Sequence, residues 1–170
     1  GIQQDLASLI YEPLFRLDGN FEPVPVLCES CEWDDAGLVC TLRLREDALF
    51  QDGSRVTAKD AAAALNRAAA SERYGYRLRG MASAAANRRG ELVVTLSAPD
   101  RGLPALLDIP VVKNGTQERT VPMGSGPYRF VSDGDGARLE ADPDWWQQKP
   151  LPVQTIPLVN AKDRDTAMYP

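Results

Sequence analysis

Histidine is absent from all 170 residues of this sequence. Within the chain, that excludes Ser–His and Cys–His nucleophilic catalysis, histidine-based zinc hydrolysis and imidazole switching near neutral pH. A net positive charge is missing too: 19 Lys and Arg stand against 24 Asp and Glu, a balance of −5. A general nucleic-acid binder needs a basic face that displaces counterions from phosphates, so no nucleic-acid partner is expected. No apolar run approaches the ~18–20 residues of a membrane-spanning helix. The opening GIQQDLASLIYEPLF lacks a basic stretch leading into an apolar one, which leaves the compartment open.

What remains is ordinary globular material, 44% hydrophobic and 25% charged. A chain of this length makes one or two small domains whose core needs no covalent staple. Cysteine is scarce, at three residues. Two of them, Cys28 and Cys31, form a C-x-x-C spacing in LCESCEW. Three cysteines without histidine do not complete a four-ligand zinc site, so neither metal nor cofactor is expected. The segment reads as a β-strand, in which residues an odd number apart face opposite sides. A redox couple would also favour a helix start, where the thiolate is stabilised.

The periodicity predicts a short helix from about Leu6, then an extended segment Leu14 to Leu17 before the Asp18-Gly19-Asn20 turn. Strands over about 28–33 and 38–45 flank Asp34-Asp35-Ala36-Gly37 as a hairpin. In the simplest register Trp33 faces Leu38, Glu32 faces Val39 and Cys31 faces Cys40. Directly opposed Cβ atoms lie ~4.5–5.5 Å apart, within reach of a bridge. Two outcomes stand: a Cys31–Cys40 disulfide in an oxidising setting, or two reduced, packed thiols. Thr57 and Asp60 read as a capping box opening a helix from Ala58 to about Ala70. Its small face, Ala61, Ala64, Leu65, Ala68 and Ala69, suits close packing. Strand pairs are predicted over 81–86 with 91–97 and over 127–132 with 137–141. A short helix follows Leu103, residues 110–124 read as a loop, and VQTIPLV reads as a last strand.

Each remaining motif has two readings. The Gly124-Ser125-Gly126-Pro127-Tyr128 loop is either an anion cradle or a tight turn with Tyr128 packed beneath it. Trp145 and Trp146 either stack a ligand or pack at a domain edge. The acidic pairs Asp34-Asp35, Asp133/Asp135 and Asp142/Asp144 lie in turn-like sequence, where Asp caps its own backbone.

Five segments in order resemble the extracellular solute-binding proteins, family 5, of peptide and nickel ABC transporters. They are LIYEPLFRLDGNFEPVPVLCES, DDAGLVCTLRLREDALFQDGSRVTAKD, ELVVTLSAPD, GSGPYRF and DPDWW followed by KP. Three positions depart from the family pattern: Cys28 stands where Ala is usual, Cys31 where Trp is usual, and Cys40 near a usual aromatic. The resemblance implies an α+β fold, a fragment of a type II periplasmic-binding-protein lobe with β-hairpins packed on a few helices. It implies a first lobe I segment at 1–27, an inserted small domain at 28–120 and a return into lobe I at 121–170. The rest of both lobes would lie outside this chain.

The resemblance also implies a non-enzymatic transport receptor. Such a protein is a monomer, periplasmic or extracellular, in some cases lipid-anchored. It captures an oligopeptide, dipeptide or similar solute and delivers it to an ABC permease in the membrane. Tyr11, Glu12 and Leu14 would lie at the lobe I edge of the ligand cleft. The alternative is the solute-sensing domain of a cytosolic transcriptional regulator with the same fold. A carboxylate-based hydrolase is a third class, for which no acidic pair sits in a pocket-like context.

Overall fold

The hairpin about Asp34 shows how local chemistry builds this protein. In the computed structural model, which describes residues 2–158, β4 (Cys28–Trp33) and β5 (Val39–Leu44) pair antiparallel. The register differs from expectation by two residues: Trp33, not Cys31, lies opposite Cys40, and Cys31 lies opposite Leu42. Asp34 is the cause. Its Oδ1 accepts from the backbone N–H groups of Leu38 and Val39, which draws Leu38 into the turn. Gly37 completes that turn at φ +71°, a conformation glycine adopts without strain.

A second correction concerns the C-x-x-C. A bulge between Cys28 and Ser30 sets Cys28 opposite Leu44 and Ser30 opposite Arg43. The extra residue resets the alternation, so Cys28, Cys31 and Trp33 share one face instead of opposing ones. Their partners Leu44, Leu42 and Cys40 are buried.

That face belongs to a four-stranded sheet in the order β4-β5-β7-β6, with β6 at Met81–Ala86 and β7 at Leu92–Leu96. Helix α2 (Ala58–Ala69) is packed mainly against β6. It is opened by the expected capping box: Thr57 Oγ1 accepts from the Asp60 N–H, and Asp60 Oδ2 accepts from the Thr57 N–H. Ala61, Ala64, Leu65 and Ala68 are buried, and their small volumes let the helix lie close to the strands.

A second apolar cluster gathers on the helix before Tyr11 and the strands after Pro127. Helix α1 (Ile2–Ile10) begins earlier than Leu6. Its Leu6 and Ile10 gather with Tyr11, Val112, Tyr128, Leu139 and Leu158. Strands β9 (Tyr128–Asp133), β10 (Gly136–Ala141) and β11 (Thr155–Leu158) form a three-stranded sheet beside it. Val159 of the predicted last strand lies outside the described residues.

Short pairings stitch the two clusters. Strand β1 (Glu12–Pro13) pairs with β8 (Pro110–Val111), which corrects the expectation of an unbroken loop over 110–124. Strands β2 (Phe15–Leu17) and β3 (Pro23–Pro25) make a small hairpin, and a 3-10 turn spans Leu103–Leu106. Proline fixes φ and removes a donor, which confines these segments to short strands. Among the described residues, no helix is long and apolar enough to cross a membrane.

Candidate functional site

Where α1 ends, the backbone of 124–126 lies directly on it. The Gly126 N–H donates to the Ile10 carbonyl at 2.9 Å. A Cβ at Gly124 would collide with the Ile10 oxygen, and one at Gly126 would meet the Leu9 oxygen at 2.5 Å. Only glycine permits this approach. Gln51 holds the loop from its other side. Its backbone N–H donates to the Gly124 carbonyl, and its side-chain amide donates to the carbonyls of Gly126 and Tyr128. Tyr128 is buried beneath and donates its hydroxyl to the Val153 carbonyl. The tight-turn reading of GSGPY matches this geometry.

Glu12 sits at the centre of the junction, 5% exposed. Its Oε1 accepts from Ser125 Oγ at 2.8 Å and from Trp146 Nε1 at 2.6 Å, while Oε2 accepts from Gln147 Nε2 at 2.7 Å. Burial raises the carboxyl above its ordinary 4.5, and the donors, Trp146 foremost, pull it partway back. The Trp145 indole acts on it in the same direction but completes no hydrogen bond. A buried acid so surrounded acts as an anchor: it fixes one hydroxyl, one indole and one amide that arrive from more than 110 residues away.

Beside this anchor lies a cavity of about 530 Å³. Tyr11, Glu12, Trp145, Trp146 and Gln147 line it, with Arg16, Arg45 and Lys149 as cations and Asp47 and Asp108 as further acids. Arg45 is gripped by Asp47 through two hydrogen bonds of 3.0 Å, and its guanidinium lies 5.3 Å from the centroid of the Trp146 ring. The ring is therefore held by Glu12 through its N–H and by Arg45 at the ring centroid. A wall of both charge signs and aromatic surface suits a small zwitterionic or amide-bearing guest, whose charges and apolar parts each find a counterpart.

Of the sequence candidates, Tyr11 and Glu12 reach this cavity. Leu14 does not: it is wholly enclosed in the larger core. Trp145 and Trp146 line the cavity and also pack, Trp146 against the larger core. The acidic pairs behave as turn formers. Asp34 caps its hairpin, Asp133 accepts from the Asp135 N–H, and Asp142 accepts from the Asp144 N–H. Among the described residues, no group of three or more Cys, Asp and Glu is arranged to hold a metal ion. Sequence reasoning missed Gln51, Arg45, Gln147 and Lys149. The Asp52-Gly53 turn marks the neighbourhood of Gln51, and Lys149 belongs to the KP that follows DPDWW, but no local pattern singles out Arg45 or Gln147.

Comparisons with known proteins agree with this architecture. Residues 22–169 match the model of bacterial extracellular solute-binding proteins, family 5 Middle. The probable peptide ABC transporter periplasmic-binding protein y4tO of Sinorhizobium fredii is 30% identical over 143 residues, 78% of this chain and 27% of that protein. The glutathione-binding protein GsiB of Escherichia coli K12 is 29% identical over 160 residues, 86% of this chain and 31% of that one. Among solved structures, MoaA from A. tumefacien R10 in complex with mannopinic acid superposes with a TM-score of 0.77 at 26% identity. That match covers 97% of this chain and 38% of MoaA. The chain thus spans about a third of the length of the curated relatives it matches, 27% of one and 31% of the other.

Proposed function

Because the chain belongs to the bacterial extracellular solute-binding proteins, family 5, we propose that it is part of the substrate-binding component of an ABC transporter. The whole protein captures a peptide-like or similarly small, charged solute outside the cytoplasmic membrane and passes it to a permease. The observation that carries this reading is the family match over residues 22–169. The relatives named for peptide and glutathione binding support a peptide-like solute.

The junction at Glu12 supplies one wall of the cleft. Tyr11, Trp145, Trp146 and Gln147 offer apolar rings and an amide, and Arg16, Arg45 and Lys149 meet a carboxylate. Glu12 positions this wall instead of binding the solute, since three donors already occupy its oxygens. The sheet and α2 form the inserted domain, and the chain ends form the part of lobe I that carries the wall. Two separate apolar clusters support two units, with Leu14, Phe15 and Leu27 joining the cluster of the sheet and α2, and Val112 joining the other. No bond is made or broken in the solute; a second lobe closes over it by a hinge.

The test is a thermal-shift screen of the complete protein, stripped of co-purified ligand, against peptides, dipeptides, opines and metal chelates. A saturable rise in Tm with one class supports the reading. No shift with any class overturns it. The 170-residue chain alone is expected to bind the same solute far more weakly, because a cleft needs both walls.

A further inference from the structure

We propose that Cys31 and Cys40 are a disulfide-forming pair, with Cys31 the thiol that engages an external disulfide and Cys40 the thiol that closes the bond. Their Sγ atoms lie 2.7 Å apart, diagonal neighbours on one face of the hairpin. A disulfide bond measures ~2.03–2.05 Å, so closure needs a shift of under ~1 Å.

Exposure assigns the roles. Cys31 is partly exposed, whereas Cys40 and Cys28 are fully enclosed at 0%. Only Cys31 is open to a partner from solvent. Electrostatics agree: the sulfur–sulfur hydrogen bond lowers the pKa of Cys31, and the same contact, with burial, raises that of Cys40. Burial first, then the neighbouring Cys31 and Glu29, push Cys28 up to about 12, so it stays a thiol.

The oxidant is a disulfide, either a small molecule or a protein. The Cys31 thiolate attacks one sulfur of R–S–S–R; that bond breaks and R–S⁻ leaves and takes a proton. The mixed disulfide at Cys31 is then attacked by Cys40, which gives its proton to solvent and displaces the second R–S⁻. Two cysteine thiols have lost two electrons and two protons, and one external disulfide has become two thiols. The product ties β4 to β5 across the Asp34 turn. This chemistry rests on the hairpin alone. Its persistence in a cell rests on the export reading, and the two fail separately.

The experiment equilibrates the 170-residue chain with oxidised glutathione, then denatures it in iodoacetamide without reductant. Intact mass counts the alkyl groups and peptide mapping locates them. The expected count falls from three in the reduced chain to one, carried by Cys28. Cys28→Ser keeps the cross-link; Cys31→Ser and Cys40→Ser each abolish it. Three alkyl groups, a glutathione adduct resting on Cys31, a bond that includes Cys28, or a dimer joined through Cys31 would each overturn the assignment.

Discussion

The four-stranded sheet and the Glu12 junction are built by opposite means. The sheet is assembled from two local hairpins, β4-β5 and β6-β7, joined along the β5-β7 edge, and its buried face is filled by small and aliphatic side chains. The junction joins Glu12 to Ser125, Trp146 and Gln147 across 113 to 135 residues through polar contacts. A sheet of this kind tolerates local error, because each apolar side chain adds a little burial energy independently. The junction does not: its donors and acceptor are buried together, and removing one member leaves the others unsatisfied.

Substitutions separate the two regions, beginning with the most severe. Gly124→Val places a side chain where the Ile10 oxygen already sits, so the junction must open. Denaturant unfolding is expected to record a loss of ~4 kcal/mol or more, or no folded protein. Gly134→Ala meets nothing within 4 Å and serves as the control, with a change within about 0.5 kcal/mol.

Glu12→Ala strands the donors of Ser125, Trp146 and Gln147. The expected loss is about 3 kcal/mol, moderated because the variant no longer buries a carboxylate. Hydrogen exchange should quicken over residues 9–14, 125–128 and 145–147 while 39–44 and 92–96 keep their protection. Equal loss in both regions would mean that they are one cooperative unit. The sign of the pH effect is set by burial. Glu12 is raised above 4.5 in the fold, so its contribution is full below that value and declines as pH rises through the folded value.

Closing Cys31–Cys40 strengthens the sheet in turn. A loop this short is worth roughly 2–3 kcal/mol through its effect on the unfolded chain. The oxidised chain should unfold at higher urea than the reduced one, and Cys40→Ser should erase the difference.

The smallest effect is at the Asp52–Lys113 ion pair. Although burial resists it, the Lys113 ammonium and Ser54 hold Asp52 down at about 2, from an ordinary 3.8. This bond is present above pH 3.8 and lost as pH falls through about 2. Asp52→Asn should lower stability at neutral pH by under ~1 kcal/mol, since both side chains are about a third exposed. Wild type and variant should converge near pH 2.

Legibility in the sequence follows the same division. The Asp34 turn, the Thr57–Asp60 capping box, the alternation of Leu42 and Leu44 with Arg43 and Arg45, and the β-branched run ELVVTLSAP are written in neighbouring residues, and each is readable. The register could not, because Asp34 reaches forward to Leu38 and Val39 and moves the turn by two residues. The bulge at Glu29 leaves no local mark, yet it turns the C-x-x-C from a split pair into a shared face. At the junction, family resemblance points to Tyr11 and Glu12. The contacts that give Glu12 its role come from Trp146 and Gln147, more than 130 residues away, and no periodicity announces them. Leu14, three residues from Tyr11, lies in the bend between β1 and β2 and is wholly enclosed in the larger core.

The central claim is that the junction, and not the sheet, faces the solute. Hydrogen–deuterium exchange of the complete protein with and without its co-purified or screened solute tests it directly. Slowed exchange at 11–16 and 145–149 is expected on binding, with 39–44 and 92–96 unchanged. Slowed exchange confined to the sheet, or none in either segment at saturating solute, would contradict it.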